Sequence, residues 1–372
     1  MAVGWHRPTK LVIDTQAITE NVCNEVKRMP ETTELFAVVK ANGYGHGAVQ
    51  AAKAAKKGGA TGFCVAILDE AIELRQAGIT DPILILSVVD ISYIDLLLEY
   101  DLSVTVTTQE WLEQAIKHLT HIETQAPLKI HIKVDTGMGR IGFMNAQTTK
   151  QAVELTQSAT CLIWEGLFTH FSTADEVDIS YFNKQEQRFQ DIISELKQLP
   201  KYVHVSNSAT ALWHPDNVGN MIRLGIAMYG LNPSGNLLPE PYPLKPALSL
   251  VSTLIQVKKL PKGEGIGYGN TYTTSSDEWI GTVPIGYADG WLRHLQGFSV
   301  LVNGIKCEIV GRICMDQCMI RLPEKVAVGT RVTLIGDDNG ETITMQMVAE
   351  KLDTIHYEVA CTFSERMPRE YK

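Results

Sequence analysis

The stretch "AVVKANGYGHG" (residues 37–47) ends an apolar run on one amine, Lys40, and continues into alternating glycines. Two kinds of chemistry suit such a pattern. The glycines could wrap a phosphate with Lys40 as its counter-charge, since Gly43-Tyr44-Gly45-His46-Gly47-Ala48 satisfies the dinucleotide pattern G-x-G-x-x-G/A. Alternatively, Lys40 is itself the reactive group. Strand alternation puts Phe36, Val38 and Lys40 on one face with core residues. A lysine partly removed from water has a lowered pKa and a nucleophilic amine, the requirement for a Schiff base. A plain solvated strand-end lysine would need neither explanation. Asp69 or Glu70 lies only loosely where a ribose-binding acid belongs, and nothing else in the chain supports a dinucleotide fold.

Other candidates follow at the ends of apolar runs. "KIHIKVDTGMGR" places His131, Lys133 and Asp135 on one parity and ends in Arg140, a donor suited to planar anions. An edge strand with one wet face would show the same alternation. Inside a closed barrel the polar parity needs partners or a function. His170 in "FTHFS" reads equally as a satisfied core histidine. Ser208 opens "SATALWH" and suits a helix cap, but a helix N-terminus also receives phosphate, with Gly225 and Ile226 adding backbone amides. Arg223 is either a structural ion-pair member or a cofactor partner. Later, "GIGYGNTYT" sets Tyr268 between glycines, and "GRICMDQCM" sets Cys314, Met315 and Asp316 after a strand. Ordinary turn chemistry accounts for both equally well. Cys314 and Cys318 lack the histidine and second pair that a metal site requires, so no metal is expected.

These residues need a scaffold. From about residue 34 to 230 the runs "LFAVVK", "GFCVAI", "PILILS", "SVTVTT", "KIHIKV", "EGLFTHF", "YVHVS" and "MIRLGI" alternate with amphipathic stretches such as "LDEAIELRQAG" and "TQEWLEQAIKHL". Repetition of strand and helix eight times predicts an α/β fold of the (β/α)8 TIM-type barrel class over residues 11–240, whose active site sits at the C-terminal strand ends. "NPSGNLLPEPYPLKP" marks a boundary. Beyond it, short β-branched strands with Gly turns predict a mainly-β C-terminal domain over 241–372, joined in part by residues 1–14 through "LVID".

The 372 residues carry a net charge of −9 with scattered Lys and Arg, which argues against nucleic acid or an anionic membrane as partner. No apolar run approaches the roughly 18 residues of a membrane span, and no signal-peptide core opens the chain. Seven cysteines without a C-x-x-C fit a reducing cytoplasm rather than a disulfide framework.

Seven of these motifs, "AVVKANGYGHG", "KVDTGMGRIGF", "HVSNSAT", "MIRLGIAMYG", "GIGYGNTYT", "PIGYADG" and "GRICMDQ", stand in the order of the bacterial alanine racemases, and the chain resembles that family from its "HRPT" start to "IHYEVACTFSERMPR". The resemblance implies pyridoxal 5'-phosphate bound through Lys40, and a homodimer in which the partner's copy of Tyr268 is the second acid/base. It implies that Tyr44, Ser208, Gly225, Ile226 and Tyr357 surround the phosphate, Arg223 faces the pyridine nitrogen and His170 supports them. Arg140 would hold the cofactor's phenolic oxygen and the substrate carboxylate, steadied by a carbamylated Lys133. The partner's copy of Met315 would offer its amide to that carboxylate. Tyr287 and Asp316 would shape the entrance beside Cys314, and Arg293 would lower the pKa of Tyr268. The implied activity is interconversion of L- and D-alanine in the cytoplasm, supplying peptidoglycan. Alternatives are a serine or broad-spectrum racemase of this fold, a related decarboxylase, or a non-catalytic pyridoxal-phosphate carrier.

Overall fold

A computed structural model describes residues 2–121 and 126–372, which divide into two compact units: Ala17–Lys245, and Met1–Gln16 with Pro246–Lys372. In the first unit the eight expected apolar runs form eight strands. They are Glu34–Val38, Gly62–Val65, Ile83–Ile85, Ser103–Val106, Leu128–Lys133, Leu162–Phe168, Tyr202–His204 and Met221–Leu224. Each pairs in parallel with the next as far as the seventh, and the eighth returns to the first with Glu34 opposite Met221 and Ala37 opposite Leu224. Between the seventh and eighth strands the link is a single parallel bridge, Ser206 to Ile222, with the Arg223 N–H donating to the Ser206 carbonyl at 3.0 Å and, at the other end, the Asn220 N–H to the Val203 carbonyl at 2.9 Å. The ring is therefore a (β/α)8 barrel closed thinly at its last seam.

Near-continuous burial along these strands follows from helices covering the outside while side chains fill the inside. Leu68–Gln76 and Gln109–Leu119 sit where three- and four-residue apolar spacing predicts helices, and Ala146–Ser158 and Ser180–Ser194 are two more. Thr108 caps one by accepting the Trp111 N–H at 3.2 Å, and Asn145 another by accepting the Thr148 N–H at 2.9 Å. Two departures matter for the site. The first strand stops at Val38, so Lys40 belongs to the turn beyond it rather than to the strand's alternation. The fifth and sixth strands slip register between Ile130 and His131, pairing Ile130 with Trp164 but His131 with Gly166. Glu165 is thus an extra residue, a bulge that re-aims its side chain.

The second unit is mainly β. Its largest sheet runs Ile305–Glu308, Ser299–Val302, Arg331–Asp338, Leu248–Thr253, Lys10–Ile13, Arg369–Tyr371. The amino-terminal strand thereby lies between residues of the carboxy-terminal third, antiparallel to one neighbour and parallel to the other. The apolar stretch 248–260 is two strands, because Gln256–Leu260 leaves for a second sheet with Glu278–Val283 and Cys318–Leu322.

Candidate active site

Immediately after the first barrel strand the backbone turns left-handed for four residues, with φ of 52° at Ala41, 52° at Asn42, 61° at Gly43 and 50° at Tyr44. That conformation costs roughly 1–2 kcal/mol for each residue with a side chain, so it persists only where surroundings impose it. Here they do. The Gly43 N–H donates to the Val39 carbonyl at 2.8 Å and the Gly47 N–H to the Asn42 carbonyl at 2.8 Å. The Asn42 side chain accepts the Ala48 N–H at 2.9 Å, joining the turn to the helix Ala48–Lys57. Glu70 accepts the Ala41 N–H at 2.6 Å and, with its other oxygen, the Ala66 N–H at 2.7 Å. The acid that loosely suggested a ribose contact is therefore spent on backbone amides. Tyr229 completes the frame, donating to the Val38 carbonyl at 3.0 Å while its ring lies 4.4 Å from that of His46. The result is a fixed backbone turn carrying Lys40 at the strand's C-terminal end, with its Nζ 6.0 Å from the centre of the Tyr44 ring.

Around the same end of the barrel the strands deliver further cations. Lys133 is buried, its Nζ donating to the Val134 carbonyl at 2.6 Å. Loss of hydration, with the Arg223 and Arg140 charges nearby, brings its amine down from the ordinary 10.5 to about 7 despite the opposing pull of Asp135. Asp135 organises the turn that presents Arg140, accepting N–H groups from Gly137 at 2.9 Å, Gly139 at 3.1 Å and Arg140 at 3.0 Å. Arg223 is buried on the last strand. It donates to the carbonyls of His204, Thr169 and Val205 and to the Nδ1 of His204 at 2.6 Å, with the Nδ1 of His170 at 3.3 Å. Burial lowers its guanidinium to about 10, which leaves it charged at neutral pH. His170 and His204 are both pushed well below their ordinary value by burial first and by Arg223 second, so both imidazoles are neutral. The charges that depress His170 are those of Arg223, Arg140, Lys133 and Lys40 together. This is a neighbourhood suited to a planar anion.

Ser208 is not the cap that its position suggested. Asn207 caps the helix Ser208–Trp213 by accepting the Thr210 N–H at 2.9 Å. The Ser208 Oγ instead crosses to the last strand's loop and accepts the Gly225 N–H at 2.8 Å and the Ala227 N–H at 3.3 Å. A Cβ at Gly225 would stand 3.0 Å from the Tyr44 hydroxyl and 3.7 Å from the Ser208 Oγ. Tyr44, Ser208 and Gly225, far apart in the chain, thus border one small space, and Ile226 opens the 3-10 turn Ile226–Tyr229 directly beside it.

The remaining candidates belong to the second unit. Tyr268 stands on a turn, Tyr268–Asn270, flanked by Gly267 and Gly269, each with φ of 73°, and is 68% exposed. The arginine against this turn is Arg312, whose Nη1 lies 3.1 Å from where a Cβ on Gly269 would be. Arg293 lies on a separate turn, Arg293–Leu295. Tyr287 and Met315 occupy adjoining loops, the Tyr287 N–H donating to the Cys314 carbonyl at 3.1 Å and the Ala288 N–H to that of Met315 at 3.0 Å. Gly286 permits this closeness, since a Cβ there would be 2.3 Å from the Cys314 carbonyl oxygen. Beneath both loops lies the fully buried Asp289, paired with Arg7 and, at 3.6 Å, with Arg366, which also holds Asp316 at 2.6 Å. Tyr357 lies on the helix His356–Thr362 against the ring of His356. Sequence reading passed over Asp289, Arg312, His204 and Glu165. All four lie within the motifs "PIGYADG", "GRICMDQ", "HVSNSAT" and "EGLFTHF", without a spacing that gives any of them a role.

Comparison with known proteins agrees with this geometry. Residues 13–233 match the family described as alanine racemase, N-terminal domain, and residues 247–371 match alanine racemase, C-terminal domain. The alanine racemase of Ligilactobacillus salivarius is 56% identical, with all of both chains covered. The crystal structure of alanine racemase from E. faecalis superposes with a TM-score of 0.99 at 72% identity over all of both chains. The histidine racemase of Leuconostoc mesenteroides superposes at 0.94 with 34% identity, covering 100% of this chain and 99% of that one. With both domain families matched in order, and the lysine turn, the cationic barrel mouth and the tyrosine turn each present, the chain belongs to the alanine racemase family.

Proposed function

We infer that this protein is an alanine racemase, interconverting L- and D-alanine with pyridoxal 5'-phosphate as cofactor and working as a homodimer. The observation that carries the activity is the match along the whole chain, both domains included, to proteins named alanine racemase. The cofactor is planar and anionic, and this suits the space beside the bare Gly225 between Tyr44 and Ser208, as well as the cationic Arg223, Arg140 and Lys40 around His170. In this reading Lys40 carries the cofactor. Tyr44, Ser208, Gly225 and Ile226 receive its phosphate, Arg223 its ring nitrogen with His170 behind, and Arg140 its phenolic oxygen. Tyr357 is assigned to the phosphate by the family resemblance alone. When bound, the cofactor supplies an electron sink that acidifies the substrate's Cα–H.

What remains is proton handling by the chain itself. Inverting a stereocentre requires a proton to leave one face and return on the other, so two bases are needed. The Lys40 amine serves one face and the Tyr268 hydroxyl, from the second copy, the other. Arg140 holds the substrate carboxylate together with the Met315 N–H of the second copy, with Tyr287 and Asp316 at the entrance. A guanidinium does not surrender its proton at neutral pH, so Arg223 leaves the ring nitrogen unprotonated. Assembly through the second unit is supported by the exposure of Tyr268, Tyr287 and Met315, large side chains that a partner would cover. The D-alanine so made would serve peptidoglycan synthesis in the cytoplasm.

Either alanine enantiomer, incubated in deuterated water, is expected to gain deuterium at Cα and reach a racemic mixture. Release of carbon dioxide, or no exchange from either enantiomer, would sink the assignment. Because a histidine racemase shares the fold, the same exchange measured on serine and histidine decides the breadth of substrate. Tyr268→Phe should slow exchange from L-alanine more than from D-alanine, and equal slowing would remove its one-sided role.

A further inference from the structure

Arg223 brings a positive charge into the barrel's interior, yet among the described residues no carboxylate pairs with it; its hydrogen bonds go to carbonyls and imidazoles. A buried charge without compensation is costly. The compensation is reached indirectly. Arg223 Nη1 is 2.6 Å from His204 Nδ1, His204 Nε2 is 2.8 Å from His131 Nδ1, and His131 Nε2 is 3.0 Å from Glu165 Oε2. We propose that Glu165 is the counter-ion of Arg223, acting through His131 and His204, and that these three positioning residues keep the guanidinium a fixed, charged donor toward whatever it faces. The proposal rests on reading Arg223 as the group that meets the cofactor ring.

The direction of donation along this chain is determined at both ends. A guanidinium only donates, so the His204 Nδ1 must accept and its proton must sit on Nε2. That proton obliges the His131 Nδ1 to accept, which leaves the His131 proton on Nε2, aimed at a carboxylate that only accepts when ionised. Two neutral imidazoles in one tautomer therefore join a cation to an anion. The surrounding structure is built for this. The register slip at Glu165 adds one residue opposite His131, and it turns the carboxylate toward both His131 and Ser103, whose hydroxyl donates to the same Oε2. The next residue is Gly166, where a Cβ would lie 2.1 Å from the His131 Nδ1, so only glycine leaves room for the ring. Both imidazoles are fully buried, and the Phe168 ring stacks on His204 at 4.5 Å. None of Glu165, His131 or Gly166 has a part in the reaction as described above.

Histidine-selective 15N labelling of the holoprotein reads the tautomers directly, with His131→Gln and His204→Gln identifying the signals. Both imidazoles are expected to be neutral with the proton on Nε2. A cationic His204, or a proton on either Nδ1, overturns the proposal, whatever the fate of the racemase assay. Glu165→Gln keeps the shape but offers an amide that can donate. It is expected to mix the His131 and His204 tautomers, shift the visible absorption of the bound cofactor and lower kcat about tenfold with little change in KM, while Glu165→Asp restores most of each. Unaltered imidazole signals and absorption in Glu165→Gln also overturn it. Should that variant fail to fold, Ser103→Ala, which removes one donor to the carboxylate, must shift the His131 Nε2–H resonance; no shift overturns the proposal. Deuterium exchange into alanine tests the catalytic reading separately, since it needs no particular tautomer.

Discussion

The Glu70 carboxylate accepts the N–H of Ala41, the residue directly after Lys40, at 2.6 Å, and so ties the second barrel loop to the first. Its other oxygen accepts the N–H groups of Ala66 and Ile67. One acid thus holds three amides, and the left-handed turn depends on it. Glu70→Ala leaves them without an acceptor and is expected to cost roughly 1–3 kcal/mol. Chemical denaturation measures the loss, and turnover should fall further than stability alone explains, because the amine of Lys40 loses its aim.

Lys133 carries a pH signature. Its amine titrates at about 7 in the fold against an ordinary 10.5. Between those values the unfolded chain holds a proton that the native chain lacks, so stability rises with pH across this window, by up to about 1.4 kcal/mol per pH unit. Below about 7 the full penalty of the depressed pKa applies. Lys133→Met in carbon dioxide-free buffer is expected to flatten the rise and to be the more stable protein at its acid end, as read by denaturant melts at several pH values. An amine neutral near pH 7 can also attack carbon dioxide, forming an N–C bond and releasing a proton. Native mass spectrometry in bicarbonate should show one added carbon dioxide that Lys133→Met lacks.

At Gly225 the expected effect is on ligand capture. A methyl group there would press on the Tyr44 hydroxyl at 3.0 Å. Gly225→Ala should weaken pyridoxal-phosphate binding roughly tenfold, about 1.4 kcal/mol, in an absorbance titration of the apoprotein. Ser208→Ala should lower stability as well, since it removes the acceptor of two amides.

Asp289 joins Arg7 near the start of the chain to Arg366 near its end and accepts the Gly286 N–H at 3.0 Å. Asp289→Asn leaves two arginines facing a neutral amide and is expected to lower stability by roughly 3 kcal/mol. Limited proteolysis should then cut first in the loops carrying Tyr287 and Met315, because this carboxylate holds the first loop directly and Arg366 joins it to Asp316 in the second.

Local pattern carried most of the architecture. Eight apolar runs alternating with amphipathic helices specify a barrel because burial on both faces and burial on one face leave different periodicities in the residues themselves. The position of Lys40 just beyond a barrel strand's end, and of Arg223 on the last strand, was legible for the same reason. Whether Ser208 or its neighbour Asn207 caps the helix was open in the sequence, because both side chains suit that position, and only the fold shows that Asn207 bonds the Thr210 amide.

By itself, then, the sequence determined the order of elements, the two-part organisation and the residues available for chemistry, all properties of neighbours along the chain. Tertiary structure decided which of them meet. His131, Glu165, His204 and Arg223 come from four different barrel strands, and their contact depends on strand register, including the one-residue slip at Glu165. The left-handed path of residues 41–44 is equally invisible locally, because Ala41 and Tyr44 resist it when alone. They adopt it because hydrogen bonds to Glu70 and within the adjoining backbone outweigh their preference. Register and ring closure are long-range properties, and no short window of residues encodes them.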